Sequence, residues 1–210
     1  MRILVVGATG TIGRAVVEAL APRHEIIAAS RTKAGVHVDL TSIDSIRAMY
    51  QSAAPVDAVV CAAGEARFKP LAELAEDDFQ FSLASKLMGQ VNLVRVGFAH
   101  VRDGGSFTVT SGVLARSPMP GSAAISLVNA GLEGFVRAAA LEAPRGLRVN
   151  VASPPWVTET LKAFGMDVSQ GRPAAEVAQL YVRSVEGRDN GAVLEIPAQR
   201  RRSATSRRAP

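Results

Sequence analysis

Apolar positions along the chain fall into short continuous runs that alternate with longer stretches of helical spacing. The short runs are typical of parallel strands that are buried on both faces, because such strands need no polar side. They predict seven strands, at residues 2–8, 25–30, 36–40, 57–62, 106–110, 147–152 and 192–196. Strands that alternate regularly with helices are joined by right-handed crossovers. We therefore expect a three-layer α/β fold, a doubly wound parallel sheet in a single domain over residues 1–198.

The stretches of helical spacing predict the elements between these strands. Apolar side chains recur every three or four positions over residues 11–20, 76–101, 122–142 and 174–185. Thr41 is a suitable N-cap for one more helix, with Asp44 three positions further on. We expect Gly104 and Gly105 to separate the helix over 76–101 from the strand that follows.

A glycine-rich turn lies between the first predicted strand and the first predicted helix. Glycine permits a tight turn and a close approach of the backbone to phosphate, and the start of the helix offers free N–H groups. An ordinary glycine-rich turn is the alternative, but a strand, a turn and a helix in this order are the context that a dinucleotide motif requires. The sequence predicts a Rossmann-type fold, with a cofactor against Gly7, Thr9, Gly10, Thr11, Ile12 and Gly13.

Further landmarks follow the later strands. Asp39-Leu40 comes after the third, Cys61-Ala62-Ala63-Gly64 after the fourth, Ser111 after the fifth and Ser153-Pro154-Pro155-Trp156-Val157 after the sixth. With them the chain resembles the short-chain dehydrogenase/reductase family over nearly all of residues 1–196. The resemblance implies that Asp39 hydrogen-bonds the adenine amino group and that Leu40 packs on its ring. It also implies cofactor contacts for Ala62, Ala63, Gly64, Pro154 and Val157.

The end of the second strand predicts which dinucleotide is bound. A site that prefers NAD places Asp or Glu there, to accept hydrogen bonds from the adenosine ribose. This chain has Ser30-Arg31-Thr32-Lys33 and no acid. A guanidinium binds a 2′-phosphate through charge-assisted hydrogen bonds, so Arg31 predicts NADP(H), with Ser30 beside it. Ordinary surface charges at Arg31 and Lys33 are the alternative.

The catalytic positions depart from the resemblance. The family transfers hydride with a Tyr-x-x-x-Lys pair, whose spacing puts both side chains on one helix face and lets the ammonium favour the phenolate. Alignment of the preceding residues puts Ile125 at the Tyr position and Asn129 at the Lys position. The two tyrosines of the chain, Tyr50 and Tyr181, are distant in sequence and are expected to be packing residues.

Lysine and asparagine stand at exchanged positions. The family's helical Asn corresponds to Lys86, so Lys86 could put an ammonium near the reacting atoms while Asn129 bonds the cofactor ribose. The alternatives are that Lys86 extends to the surface and that Asn129 caps or packs locally. The family's active-site Ser corresponds to Ser111 or, by an ungapped count, to Gly112. Ser111, Lys86 and Asn129 are therefore the candidate catalytic residues.

Three functions fit this pattern. The first is an NADP(H)-dependent oxidoreductase that acts on a small carbonyl or alcohol with an altered catalytic set. The second is a non-redox enzyme for dehydration or cyclisation, and the third is an inactive NADP-binding regulator. Loss of a general acid costs about 10²–10⁴-fold, so the sequence argues against the usual mechanism and not against all activity. The segment over 156–172 could form a lid over an apolar ligand or simply cover the core.

Charge and cysteine content narrow the partners. The formal charge is +5, but five arginines lie after residue 199, and residues 1–199 carry 19 basic and 19 acidic groups. We expect a disordered basic tail over 199–210 and no nucleic-acid partner. The single cysteine, Cys61, permits no internal disulfide and fits a cytoplasmic location. We expect no apolar run to approach the roughly 20 residues of a membrane span. His24, His37 and His100 lack metal-ligand spacing.

Small residues on two predicted helices indicate an oligomer. The resemblance implies that these helices pair across a two-fold axis, and small side chains let helices approach closely. The residues concerned are Ala84, Gly89, Gly97, Ala130, Gly131, Gly134 and Ala138. We expect a homodimer or a dimer of dimers.

Overall fold

A computed structural model describes residues 1–32 and 35–197 of the chain. Its strands are β1 (Arg2–Val6), β2 (Glu25–Ser30), β3 (Val36–His37), β4 (Val56–Cys61), β5 (Val101–Thr110), β6 (Arg148–Ala152) and β7 (Val193–Leu194). They form one sheet in the order β3-β2-β1-β4-β5-β6-β7, and every neighbouring pair is parallel. The predicted doubly wound parallel sheet of seven strands is confirmed. The predicted tail over 199–210 lies outside the described residues.

Helices cover both faces of the sheet. They are α1 (Thr11–Leu20), α2 (Ile43–Ala53), α3 (Glu76–Ser82), α4 (Gly89–Gly97), α5 (Ala123–Glu142), α6 (Thr158–Ala163) and α7 (Ala174–Glu186), with a π-helical turn at Leu83–Met88. One core cluster joins the sheet to α2, α4 and α5, and a second joins it to α1 and α7. β1 shows why the strands are apolar throughout, because Leu4 and Val6 belong to one cluster and Ile3 and Val5 to the other.

Both tyrosines are packing residues, as expected. Tyr50 and Tyr181 are fully buried. The Tyr50 hydroxyl donates to the Leu93 carbonyl at 2.8 Å, and the Tyr181 hydroxyl lies 2.7 Å from the Thr110 hydroxyl. Burial raises the pKa of each phenol above its usual value. Neither tyrosine can replace the proton donor that the family keeps on α5.

Several predicted boundaries are wrong. The predicted helix over 76–101 is interrupted by the π-helical turn and ends at Gly97, and β5 begins at Val101 instead of Ser106. Gly104 and Gly105 lie inside β5, where a register shift against β4 bends the strand. A Cβ at Gly105 would collide with the Asp57 carbonyl oxygen. Gly105 therefore allows a close strand approach, Gly104 adopts φ +72°, and neither glycine ends a helix.

The N-cap of α2 is also different from the prediction. Ser42 caps α2, and its hydroxyl accepts from the Ser45 N–H at 3.2 Å. Thr41 instead donates through both its backbone N–H and its hydroxyl to Asp39. Two neighbouring residues with hydroxyls could each cap the helix, and the turn at Asp39 decides between them.

The length of α5 corrects one expectation. Within the described residues, α5 is the one helix that is long and apolar enough, by length and composition, to cross a membrane. The expectation that no apolar run approaches that length was therefore wrong. Leu132 and Val136 of α5 are buried in the first core cluster, and Val128 is also fully buried, so part of the apolar character of α5 belongs to the core.

Candidate functional site

The glycine turn after β1 needs glycine at two positions for different reasons. Gly7 has φ +82°, a conformation that favours glycine, and its N–H donates to the Ala29 carbonyl at 2.9 Å. Gly13 lies in the first turn of α1, where a Cβ would collide with the Gly7 carbonyl oxygen. The turn therefore folds back on itself and brings the start of α1 close to the carboxyl end of β1.

The start of α1 has no side-chain cap. Gly10 is the N-cap residue and offers no side chain, and no acidic residue lies in the first turn. The first N–H groups of a helix lack partners within the helix, and with the helix dipole they favour an anion. This position lies where the strand order reverses between β1 and β4, at which α/β sheets bind their ligands.

A cavity of about 370 Å³ lies beside this turn, and we call it the larger cavity. Among the predicted cofactor residues, it is lined by Gly7, Thr9, Gly10, Ser30, Arg31, Asp39, Leu40, Ala62, Ala63 and Gly64. Thr11 and Gly13 do not line it, and Gly13 acts by shaping the turn. The residues predicted to hold the adenosine half of a dinucleotide are thus brought together.

The polar groups of the larger cavity include one ion pair that the sequence did not reveal. Arg31 Nη2 lies 3.3 Å from Glu65 Oε1, and both side chains are about 60% exposed. Glu65 follows Gly64 directly at the end of β4, distant in sequence from Arg31. Its proximity could have been inferred from the pairing of β1 with both β2 and β4. Lys33 lies outside the described residues.

Asp39 is held in one orientation. Its Oδ1 accepts from the Thr41 N–H at 2.9 Å and from the Thr41 hydroxyl at 2.8 Å. These bonds hold the pKa of the Asp39 carboxyl below its usual value, and the charge of Arg31 contributes in the same direction. Asp39 is therefore a fixed anionic acceptor at the edge of the larger cavity.

A second cavity of about 240 Å³ continues the site, and we call it the smaller cavity. Lys86, Ser111, Gly112, Ile125 and Asn129 all line it. Of the remaining predicted cofactor residues, Ile12, Pro154 and Val157 line it as well, whereas Thr11 and Gly13 line neither cavity. The two cavities are neighbours, because Gly10 lines one and Ile12 the other within a single turn. All three candidate catalytic residues therefore face one space.

Lys86 is buried instead of extending to the surface. It lies in the π-helical turn and is 9% exposed. The Gln90 side chain fixes this turn by donating to the carbonyls of Lys86 at 3.2 Å and Thr110 at 3.0 Å. Burial lowers the pKa of the Lys86 ammonium to about 8. Within residues 1–32 and 35–197, no carboxylate lies within ion-pair distance of it.

Asn129 presents an unused acceptor. It is 2% exposed, and its Oδ1 is the one buried side-chain polar atom in the described part of the chain that has no hydrogen-bond partner. An unpaired buried acceptor costs about 1–3 kcal/mol, so such atoms usually meet a ligand or water. Asn129 makes no cap through this atom, and the residue lines the smaller cavity.

Ser111 is tied to a buried carboxylate that the sequence reasoning missed. Its hydroxyl donates to Glu133 Oε1 at 3.1 Å, and the Ser153 hydroxyl donates to the same oxygen at 3.1 Å. Glu133 is 3% exposed and lies within 4 Å of the guanidinium groups of Arg116 and Arg137. Glu133 follows Asn129 by four residues on α5, and an acid on this buried helix face was the available signal.

Among the described residues, neither Cys61 nor a metal-binding cluster adds a reactive group to the site. Cys61 is fully buried, and burial raises the pKa of its thiol to about 12, so the reactive thiolate form is disfavoured. Over the described residues, no group of three or more His, Cys, Asp and Glu side chains could hold a metal ion.

The segment over 156–172 borders the smaller cavity. Trp156 and Val157 line it, and the Trp156 ring meets Phe68 edge to face at 6.3 Å between centroids. Leu161 of α6 is buried, whereas Phe164 is 70% exposed. The segment thus covers core with one side and leaves apolar side chains at the rim of the cavity.

Comparison with known proteins decides the family. A family model described as enoyl-(acyl carrier protein) reductase matches residues 7–194. The chain belongs to the short-chain dehydrogenase/reductase family. The matched range contains both cavities, and members of this family are oxidoreductases.

Individual relatives agree with this assignment. The chain is 39% identical to the protein lin1944 from Listeria innocua, with a TM-score of 0.91 over 94% of this chain and 100% of that one. A short chain dehydrogenase from Burkholderia cenocepacia, solved in complex with NADP, is 25% identical, with a TM-score of 0.79 over 93% of this chain and 95% of that one. Hydroxynaphthalene reductase arp2 from Aspergillus fumigatus is 30% identical over 63% of this chain and 50% of that protein. This short-chain dehydrogenase/reductase spans about half the length of such curated relatives.

Proposed function

We propose that this short-chain dehydrogenase/reductase binds NADP(H) and reduces a small carbonyl compound, with Lys86 as the proton donor. The observation that carries the proposal is the smaller cavity. It is lined by a residue with a buried ammonium and one with an unpaired amide oxygen, and it is next to the larger cavity, which is lined by the predicted adenosine-binding residues. NADPH supplies a hydride when it is bound. The chain must then hold the cofactor, place the carbonyl and provide a proton.

The larger cavity supports NADP(H). Its backbone turn and the uncapped start of α1 suit a pyrophosphate. Arg31 is positioned to meet a 2′-phosphate, and Ser30 and Thr32 line the same space. The Burkholderia cenocepacia relative was solved with NADP. Asp39, a fixed acceptor, suits the amino group of adenine.

In this proposal Lys86 replaces the missing Tyr as proton donor, and Asn129 replaces the missing Lys at the cofactor ribose. The unpaired Asn129 Oδ1 can accept a hydrogen bond from a ribose hydroxyl, which would orient the nicotinamide end. The Lys86 ammonium can donate to the carbonyl oxygen, and a pKa near 8 makes it a better acid than an exposed lysine. Ile125 can do neither, and the Ser111 hydroxyl proton is directed at Glu133.

The inactive NADP-binding protein remains the second candidate. The loss of the usual donor at Ile125 and the use of the Ser111 proton by Glu133 favour it. Cofactor binding alone does not separate the two functions, because both predict it. Turnover and its dependence on Lys86 do.

The test begins with calorimetry of NADPH and NADH at fixed salt. We expect tighter binding of NADPH in the wild type and loss of that preference in Arg31→Ala. NADPH oxidation is then measured against a panel of small carbonyl compounds. The panel includes naphthalene-type aromatic compounds, which are suggested by the Aspergillus fumigatus relative and by Trp156 at the cavity. Equal affinity for both cofactors would overturn the NADP(H) assignment, and bound NADPH without turnover would favour the inactive protein.

We further propose a homodimer built on α5. Gly89, Gly97 and Gly131 do not face a partner, because Cβ atoms there would press on Leu40, on Tyr50 and on Leu87 of the same chain. The outward stripe of α5 is instead formed by Leu127, Ala130, Gly134, Ala138 and Leu141, all exposed. Light scattering should give twice the chain mass, and Leu127→Glu should halve it. A monomeric wild type at micromolar concentration would contradict the proposal.

A further inference from the structure

Glu65 contacts Arg31, the residue that we propose binds the 2′-phosphate of NADP(H). Its Oε1 lies 3.3 Å from Arg31 Nη2, and both residues line the larger cavity. Arg31 is the guanidinium on which the NADP(H) assignment depends. Without a phosphate, the contact that this guanidinium makes is with a carboxylate.

The backbone of Glu65 is fixed, whereas its side chain can move. The Glu65 N–H donates to the buried Ser85 hydroxyl at 3.0 Å. The preceding Gly64 has φ +120° and packs so closely on the Lys86 backbone that a Cβ would lie 3.0 Å from the Lys86 Cα. The backbone therefore keeps the Glu65 side chain within reach of Arg31. Because both partners are mostly exposed, the ion pair itself is weak and can be displaced.

The charged residues around Arg31 do not form a site dedicated to phosphate. Among the described residues lining the larger cavity, Arg31 is the single cation, and Asp39 and Glu65 are both acids. Asp39 is engaged with Thr41, but it also feels the charge of Arg31. A 2′-phosphate adds about two negative charges to this group and must take the guanidinium from Glu65. NADH adds none there and leaves the ion pair in place.

We propose that Glu65 is a specificity-determining residue, which competes with the 2′-phosphate of NADP(H) for Arg31 and keeps the preference for NADP(H) over NAD(H) small. The inference rests on the proposed binding of NADP(H). It adds that a second residue limits the selectivity of the site, and that this residue lies in the loop after β4 and not at the end of β2, where selectivity is usually decided. Removal of the carboxylate should increase the preference for NADP(H).

The test is calorimetry of NADPH and NADH with the full chain at low and at high salt. Glu65→Gln keeps the size of the side chain and removes its charge. We expect it to tighten NADPH about three- to tenfold and to change NADH less than about twofold, with a smaller gain at high salt. Glu73→Gln is the matched control, since Glu73 is exposed and does not line the cavity. It should leave both affinities unchanged.

A double-mutant cycle with Arg31→Ala isolates the competition. If Glu65 acts through Arg31, the gain from Glu65→Gln should shrink to less than about twofold once the guanidinium is absent. Wild-type binding of NADPH with no response to Glu65→Gln would overturn the role of Glu65 and leave the proposed function standing. An equal gain for NADH would overturn it too. Binding of neither cofactor by the wild type would overturn both.

Discussion

The larger and smaller cavities share one edge of the sheet but are built in different ways. The larger cavity includes a backbone turn, with Gly7, Thr9 and Gly10 before the uncapped start of α1, beside residues that follow β2 and β4. The smaller cavity depends on side chains, and its polar groups come from Lys86, Ser111 and Asn129. Backbone N–H groups are present in any sequence that folds this way, whereas a side chain is lost with a single substitution.

This difference explains how cofactor features can persist while the usual proton donor is gone. A turn that needs glycine at Gly7 and Gly13 is required for folding as well as for binding. Ile125 and Asn129 meet no such requirement, because an apolar or amide side chain fills the same helix position. The two halves of the site can therefore change independently, and each can be perturbed separately.

The largest expected effect comes from the smaller cavity. Lys86→Met should lower carbonyl reduction by about 10²–10⁴-fold, the usual cost of losing a general acid. NADPH affinity should change little, because Lys86 does not line the larger cavity. As the pH rises through about 8, the wild-type rate should fall as the ammonium loses its proton. Lys162→Met, at an exposed lysine, is the control. Rapid turnover unaffected by Lys86→Met would place the chemistry elsewhere.

The same variant should stabilise the fold at neutral pH. The folded pKa of Lys86, about 8, lies below the ordinary value of 10.5, so the unfolded chain binds more protons between these values. Stability contributed by this site therefore rises as the pH increases from about 8 to about 10.5. Below pH 8 a buried charge is a cost, and Lys86→Met should remove on the order of 1–3 kcal/mol of it. Thermal unfolding of the wild type and of Lys86→Met at pH 7 and pH 10 measures this difference, and the stability gained by the variant should be smaller at pH 10.

The second effect comes from the larger cavity. Gly13→Ala should weaken binding of NADPH and NADH alike by about 10²-fold or more, because a Cβ collides with the Gly7 carbonyl and displaces the start of α1. Gly10→Ala is the matched substitution, since its Cβ would lie 3.4 Å from the same oxygen and is tolerated by the fold. Thermal unfolding should show a loss of stability in Gly13→Ala only. Equal melting temperatures for the two variants would show that the turn is not the constraint.

The sequence predicted the backbone-built features well and the side-chain network poorly. The parallel sheet of seven strands, the glycine turn and the grouping of Arg31 with Asp39 follow from local pattern and from the resemblance. Glu65 and Glu133 were missed because each acquires its meaning from a partner distant in sequence, Arg31 and Ser111 respectively. The π-helical turn at Lys86 was also missed, since no local signal separates it from a continuous helix. Single-residue boundaries, such as Ser42 in place of Thr41, depend on competing hydroxyls.

A gain of function sharpens the contrast. Ile125→Tyr with Asn129→Lys restores the family pair, but the new ammonium group at position 129 would then share one cavity with the ammonium group of Lys86. Like charges lower each other's pKa, so the restored lysine would work poorly. We expect the triple variant that also carries Lys86→Asn to reduce carbonyls about tenfold faster than the wild type, and the double variant to gain less. Steady-state rates at saturating NADPH measure this. A double variant faster than the triple would contradict the exchange of roles between Lys86 and Asn129.

The smallest effect is expected at Ser111, and it separates two interpretations of the smaller cavity. If Ser111 donated to the substrate oxygen, its loss would cost about 10²–10³-fold, as for other donors to developing negative charge. Its proton is instead directed at Glu133, a carboxylate beside Arg116 and Arg137 that accepts and does not donate. Ser111→Ala should therefore lower the rate less than about threefold and lower stability by about 0.5–1.5 kcal/mol, the value of one hydrogen bond. Ser153→Ala is the matched control, because Ser153 donates to the same Glu133 oxygen at the same 3.1 Å but does not line the cavity. Ser153→Ala should lose somewhat more stability than Ser111→Ala, because Ser153 Oγ also accepts from Arg116 Nη2 at 3.2 Å. A loss of 10²-fold or more in kcat for Ser111→Ala alone would show that its hydroxyl turns from Glu133 to the substrate during the reaction.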